Sequence, residues 1–255
     1  MKKFSFLFIL FLMVTATNCV FADATATFKT ANDYYKSQDY GKAGQLYLEL
    51  ADNYGIKNAG LFYNLGNTFY KQGNIGKSIL YYEKALLLAP RDKDIKDNLL
   101  IAQSKVIDKV EPTNSFGTML LRTTLAYFSM NEVSWVFWLA AISFLVGALV
   151  FINNRNNHRV QLTYYYAIIP LFILSSLWFS FKYVSYSDIL RGIVLTEKVD
   201  VRSGPGESFQ TLFVVHEGFK FSIVKETNSG WTRITLDNGF NGWIPDNVCG
   251  KINPL

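Results

Sequence analysis

Residues 201–208, VRSGPGES, set two glycines around a proline beside an arginine and two serines, a composition also found where backbone amides cradle a phosphate. That chemistry needs glycines followed by Gly-Lys-Ser/Thr, or a third glycine opening a helix, so that N–H groups converge on the anion. Here the chain continues as SFQTLFVV, strand-like and without lysine, so the stretch reads as a turn. Cys249 and His216 come nearest to a nucleophile and a base, but no third residue is spaced to orient them, and nucleophilic catalysis is not expected. Asp92, Asp94 and Asp97 lack the central glycine of a calcium loop and fall at a helix start, where carboxylates complement the dipole. His158 lies in a short arginine-bearing stretch and adds polarity there. The chain is expected to hold no catalytic residue, cofactor or metal and not to be an enzyme.

The bulk properties narrow the classes further. The 255 residues carry a net charge of +5, and half of them are hydrophobic, which is high for a soluble chain. Lysine and arginine form no dense run, which argues against nucleic acid as a partner. Cys19 and Cys249 are too few for a disulfide framework or a thiolate zinc site. At the N-terminus, Lys2 and Lys3 precede the apolar FSFLFILFLMV and the small residues of TATNCVFA. This is the pattern of an export signal (residues 1–22), cleaved after Ala22 or retained; acylation at Cys19 is the alternative, with Asn18 a poor fit before it.

Two charge-free runs follow, 133–152 (VSWVFWLAAISFLVGALVFI) and 162–181 (LTYYYAIIPLFILSSLWFSF). Each has the length of a bilayer crossing, with tryptophan and tyrosine near the ends. Pro170 is tolerable in a membrane helix whose neighbours satisfy the freed carbonyl. The loop between them, residues 153–161, carries Arg155 and Arg159, and positive residues in short loops stay cytoplasmic. The expected arrangement is a bacterial inner-membrane hairpin with the flanking segments, 23–110 and 192–255, in the periplasm. Residues 111–132 would connect the first segment to the hairpin, lying in the membrane interface or against the repeats, and residues 182–191 would link the hairpin to the tail.

Within 23–110 the chain repeats itself. ANDYYKSQDYGKAGQLYLEL (31–50) aligns with GNTFYKQGNIGKSILYYEKA (66–85) at a shift of about 35 residues, near the period of helix–turn–helix repeats. Gly66 and Ser78 stand where two helices approach closely, Phe69 and Tyr82 fill the space between them, and Pro90 ends the second helix. The stretch 91–108 reads as a capping helix over the open end. The second copy resembles the tetratricopeptide repeat. That resemblance implies an α-helical solenoid whose inner groove is lined by the first helix of each unit, presenting Asn32 with Asn67, Tyr35 with Tyr70 and Lys36 with Lys71 to a peptide. The alternative for these residues is a solvated helix face and core tyrosines.

From Gly192 onward GIVLTEKVDVR, KFSIVKE and WTRITL alternate, are rich in β-branched residues and end at Gly, Asn and Asp turns, the signature of a small all-β unit. A compact barrel would avoid open edges. Val201, Arg202, Gly204, Pro205, Gly218, Gly230-Trp231 and Gly242-Trp243 resemble the bacterial SH3 (SH3b) domain, which implies a binding module for peptide or cell-wall material. Arg202 and Trp243 are its candidate surface residues, with Trp231 placed in the core.

The order signal, repeats, apolar hairpin, SH3b resembles the BatE-type proteins of the Bacteroides aerotolerance (Bat) operon. The resemblance implies a non-enzymatic, membrane-anchored scaffold for other proteins. Its partners would be von Willebrand A-domain membrane proteins and a MoxR-type ATPase, in envelope integrity or stress tolerance. The alternative is a cell-wall sensor or anchor that binds peptidoglycan through the SH3b unit.

Overall fold

The computed structural model describes residues 23–108, 126–154, 156–187, 190–226 and 230–252. The export signal, Cys19, most of the connector, Arg155 and residues 253–255 lie outside the described residues. The helical half comprises α1 (residues 23–36), α2 (Tyr40–Asp52), α3 (Ala59–Lys71), α4 (Ile75–Leu88) and α5 (Lys93–Gln103). Each start after α1 has a local cause. Asp39, Asn58, Asn74 and Asp92 place a side-chain oxygen on the N–H three residues on, capping the helix. The turns before α2 and α4 are the same device twice, with Gln38 at φ 65° and Gly73 at φ 81°.

Inside each repeat the small-against-large pattern is realised. Gly66 lies so close to Tyr82 that a Cβ there would stand 2.5 Å from the ring, and Ser78 Oγ donates to the Gly66 carbonyl at 2.9 Å. The first copy substitutes Ala31 and Ala43, both fully buried, around Tyr47. Phe69 is buried as expected, stacked on Tyr81 at 5.5 Å.

Among the described residues, two helices are long and apolar enough to cross a membrane, by length and composition: α6 (Met130–Asn153) and the stretch His158–Val184. Both are longer than the charge-free runs, because Ser129 and Glu132 form a capping box that starts α6 early and Asn157 caps the next helix at His158. The turn between them is correspondingly shorter than residues 153–161. The second helix is built from α7 (His158–Thr163), a π-turn at Tyr164–Ile168 and α8 (Ile169–Ser187). Pro170 has no N–H to offer the turn before it, and the wider π-turn sits at that place. The two helices pack through rings: Phe137 on Phe179, Phe144 on Phe172, and Phe151 on Tyr164, with centroids at 4.8, 4.7 and 5.1 Å.

The tail is an antiparallel all-β unit: β1 (Arg191–Val194), β2 (Lys198–Arg202), β3 (Thr211–His216), β4 (Lys220–Glu226), β5 (Trp231–Thr235), β6 (Asn241–Pro245) and β7 (Cys249–Ile252). They form one sheet in the order β3-β2-β6-β5-β4-β1-β7, with β3 and β7 at its two ends. Val199, Val201, Phe221, Ile234 and Ile244 fill its core.

The sheet is not a separate body on a tether. Ile193 and Ile252 belong to the hydrophobic core of the repeats, and two glycines permit close approach there. A Cβ on Gly76 of α4 would stand 2.5 Å from the Val194 carbonyl oxygen, and one on Gly250 would stand 2.4 Å from Leu80. Around this apolar contact, Glu217 accepts the Gly76 N–H at 2.8 Å at the start of α4. Lys220 pairs with Glu83 at 2.5 Å. Asp108 holds His216 twice, through its backbone N–H at 2.6 Å and Nδ1 at 3.0 Å. The segments before and after the apolar pair are therefore packed together, so the pair leaves and rejoins the same body.

Candidate functional site

Two faces are left for ligands, and they treat their polar groups differently. On the repeats, Tyr47 Oη donates to Asn32 Oδ1 and Tyr82 Oη donates to Asn67 Oδ1, both at 2.6 Å and both across 15 residues. The two asparagines expected to meet a peptide therefore spend their acceptor oxygen inside the repeat and keep the amide nitrogen as a donor. Asn67 also accepts from Asn98 of α5 at 3.1 Å, and Asn98 donates to Tyr63 at 2.9 Å. The capping helix thus reaches into the inner face of the second unit. Tyr35 is half-buried and meets Tyr40 edge-on at 5.3 Å. Tyr70 lies under the Lys105 ammonium at 4.6 Å. Lys36 and Lys71 are exposed.

Burial shifts the phenols beneath this face. Desolvation pushes the Tyr47 phenol up to about 12 and raises Tyr82 as well. Tyr35 is raised by burial, then by Tyr40 and Tyr63. The Tyr47 and Tyr82 hydroxyls are thus spent inside the repeat, and the face offers a ligand the amide nitrogens of Asn32 and Asn67, rimmed by Lys36 and Lys71. Tyr63 and Asn98 carry no such signal in the sequence: the spacing that recurs in both copies is Asn32–Tyr47 and Asn67–Tyr82.

On the sheet, Thr232 and Ile234 are buried, so alternation sends Trp231, Arg233 and Thr235 of β5 outward. This corrects the core placement of Trp231: the interior is already filled from β1, β2, β4, β5 and β6, and the indole is only half-buried. Arg202 and Trp243 face one another in register on β2 and β6, so the two expected surface residues are brought together. Beside them is a shallow cleft of about 380 Å³ lined by Lys198, Asp200, Arg202, Glu207, Trp231 and Pro245 among others. The guanidinium of Arg202 is engaged with its own loop, donating to the carbonyls of Glu207 and of Phe209, the latter at 3.1 Å. It clips VRSGPGES shut, and Gly204 is required there because a Cβ would stand 2.4 Å from the Phe209 ring.

The comparisons agree with this division. Residues 59–92 match the family described as Tetratricopeptide repeat. Residues 197–248 match the Bacterial SH3 domain. The chain carries both modules. A curated relative, the Putative N-acetylmuramoyl-L-alanine amidase YrvJ of Bacillus subtilis (strain 168), is 31% identical over 81 residues, covering 32% of this chain and 15% of the relative. The chain therefore spans only a small part of that protein's length.

The remaining polar residues fall into place. His216 is turned to Asp108, while Cys249 Sγ donates to the Asp246 carbonyl at 3.5 Å. Asp92 caps α5, with Asp94 in its first turn, and His158 is exposed at the start of α7.

Proposed function

We propose that this protein is a non-enzymatic, membrane-anchored scaffold that presents a repeat face and an SH3 face to other proteins from one side of the bacterial inner membrane. The observation that carries this reading is the fused repeat–sheet interface, through Gly76, Gly250, Glu217 and Lys220, which holds two binding modules at a fixed spacing. The export-like N-terminus and the two arginines at the closed end of the hairpin, Arg155 and Arg159, favour the periplasm as that side. Membership in a Bat-type envelope or aerotolerance complex, with von Willebrand A-domain membrane proteins and a MoxR-type ATPase system as partners, rests on the resemblance of the domain order. Full-length protein purified from membranes should bring down the von Willebrand A-domain proteins. Lys36→Ala with Lys71→Ala, at exposed positions, should reduce that recovery without changing the unfolding transition, and unchanged recovery would count against the repeat face.

A second reading is peptidoglycan binding at the Trp231 cleft, favoured by the half-buried indole between charged side chains and by the amidase named among the relatives. Full-length protein in detergent should co-sediment with purified sacculi, and Trp231→Ala should abolish this. Protein left wholly in the supernatant removes that reading.

A further inference from the structure

Lysine recurs at the end of each inner helix. Lys36 closes α1, Lys71 closes α3 and Lys105 follows α5 by two residues, at intervals of 35 and 34. The capping helix therefore sits in the array as a third inner helix. Asn32 and Asn67 stand one turn before the first two lysines, and Ile101 stands one turn before the third. The structure joins the three ends. Gln72, beside Lys71, donates to the Tyr40 carbonyl at 2.5 Å, four residues past Lys36. Lys105 lies over the ring of Tyr70, the other neighbour of Lys71, at 4.6 Å. Neighbouring helices pack about 8–10 Å apart, so the ammonium groups form a row with steps of that size.

The row is not neutralised from within. All three lysines are exposed, and among the described residues none of them takes part in an ion pair. Within three residues of them along the chain stand Asp33, Asp39 and Asp108. Asp39 is spent on Lys42 at 3.0 Å and Asp108 on His216, which leaves Asp33 against three lysines. α3, in the middle, carries no acidic residue. Beside Lys105 the third unit is apolar where the others present amides: Ile101 is 50% exposed and its neighbour Leu100 63%.

We infer that this row binds an extended acidic segment of a partner protein, with carboxylates for Lys36, Lys71 and Lys105 and an apolar side chain for Ile101. Charge complementarity selects the partner: an uncompensated row of ammonium groups draws carboxylates and repels cationic segments. A step of about 8–10 Å corresponds to roughly three residues of extended chain, so acidic residues three apart match the row. The amide nitrogens of Asn32 and Asn67 donate to backbone carbonyls between them. The inference rests on the repeat face being a binding face, as proposed above, and adds Lys105 and Ile101 as residues that set its specificity.

The test uses full-length protein in detergent and eleven-residue peptides with a neutral fluorophore and an amidated C-terminus, so that only side-chain carboxylates are read. The first peptide carries glutamate at its third, sixth and ninth positions, leucine at both ends and serine elsewhere. The others replace glutamate by glutamine or by lysine, or leucine by serine. Fluorescence anisotropy at low salt is expected to show the glutamate peptide binding on the order of tenfold more tightly than the glutamine one, as several exposed pairs together supply. Lys105→Gln should weaken it about threefold, whereas Lys105→Arg should not. Ile101→Ser should weaken the leucine peptide and leave the serine-ended one unchanged. Lys71→Glu with Lys105→Glu should turn the preference to the lysine peptide, which a misfolded variant could not do. If recovery of the von Willebrand A-domain proteins depends on Lys36 and Lys71 while glutamate and glutamine peptides bind equally or not at all, the repeat face stands and the acidic class is wrong. If recovery is indifferent to those lysines and no peptide binds, both fall. A glutamate preference untouched by Lys105→Gln and by the double reversal would place the segment elsewhere and overturn the inference.

Discussion

The inner face of the repeats and the outer face of the sheet are both lined by aromatic and polar side chains, but they are built on opposite terms. On the repeats the polar groups are bonded to one another before any ligand arrives: Asn32 to Tyr47, Asn67 to Tyr82, and Asn98 to both Asn67 and Tyr63. On the sheet, the interior is apolar and complete, and the cleft beside Trp231 is an addition to its surface. A helical repeat brings two helices together through side chains, so the residues nearest its groove also hold the pair. A strand separates its two faces by alternation, so the residues of the outer one do not fill the core.

The largest expected effect follows from that difference. Tyr82→Ala removes a fully buried ring packed on Gly66 and should cost about 3–5 kcal/mol, the range for truncating a buried aromatic. Trp231→Ala should change stability far less while removing ligand binding. Urea unfolding in detergent, followed by circular dichroism, measures both, and equal losses would break the comparison.

Next comes alkaline pH. The Tyr47 phenol sits at about 12 in the fold against its ordinary 10.0. Below pH 10 both folded and unfolded chains keep it neutral. Between pH 10 and 12 only the unfolded chain ionises, so stability falls as pH rises, by about 1.4 kcal/mol per unit. Tyr47→Phe should flatten part of that fall, and an unchanged slope would show that burial does not govern this face.

Smaller still, Asn67→Ala takes the acceptor of the Tyr82 hydroxyl and one of the two acceptors of the Asn98 amide, whereas Asn32→Ala takes the acceptor of the Tyr47 hydroxyl alone. The first should cost about 1–3 kcal/mol and the second less, in line with the penalty for orphaned buried polar groups. The smallest effect is expected at Lys71→Ala, within about 0.5 kcal/mol as for exposed substitutions, and this is why lysines rather than asparagines serve to test partner binding.

Much of the architecture was legible because it is local. The Gly66–Ser78–Tyr82 pattern, the acidic helix start at Asp92 and Asp94, the charge-free runs and the β-branched alternation each report on residues within a few turns or a strand. Arg202 and Trp243 were identified as surface residues from their motif, and the register on β2 and β6 joins them. Trp231 was misplaced because large aromatics are usual core residues, and only counting which strands already fill the interior shows it has no room there. Asn67 was read as a ligand donor because a helix position states which face a residue occupies, not which side chain fifteen residues on will bond it.

The amino-acid sequence by itself determined the parts of this protein: two helical repeats, an apolar pair of helices and a small antiparallel β unit. Periodicity, capping and turn chemistry act over a few residues and leave their mark in the order of side chains. Tertiary structure alone decided that these parts are one body. Gly76 against Val194, Gly250 against Leu80, Glu217 on the start of α4 and Asp108 on His216 join positions more than a hundred residues apart. No periodic pattern records such contacts, because their energy comes from surfaces that exist only once each part has folded.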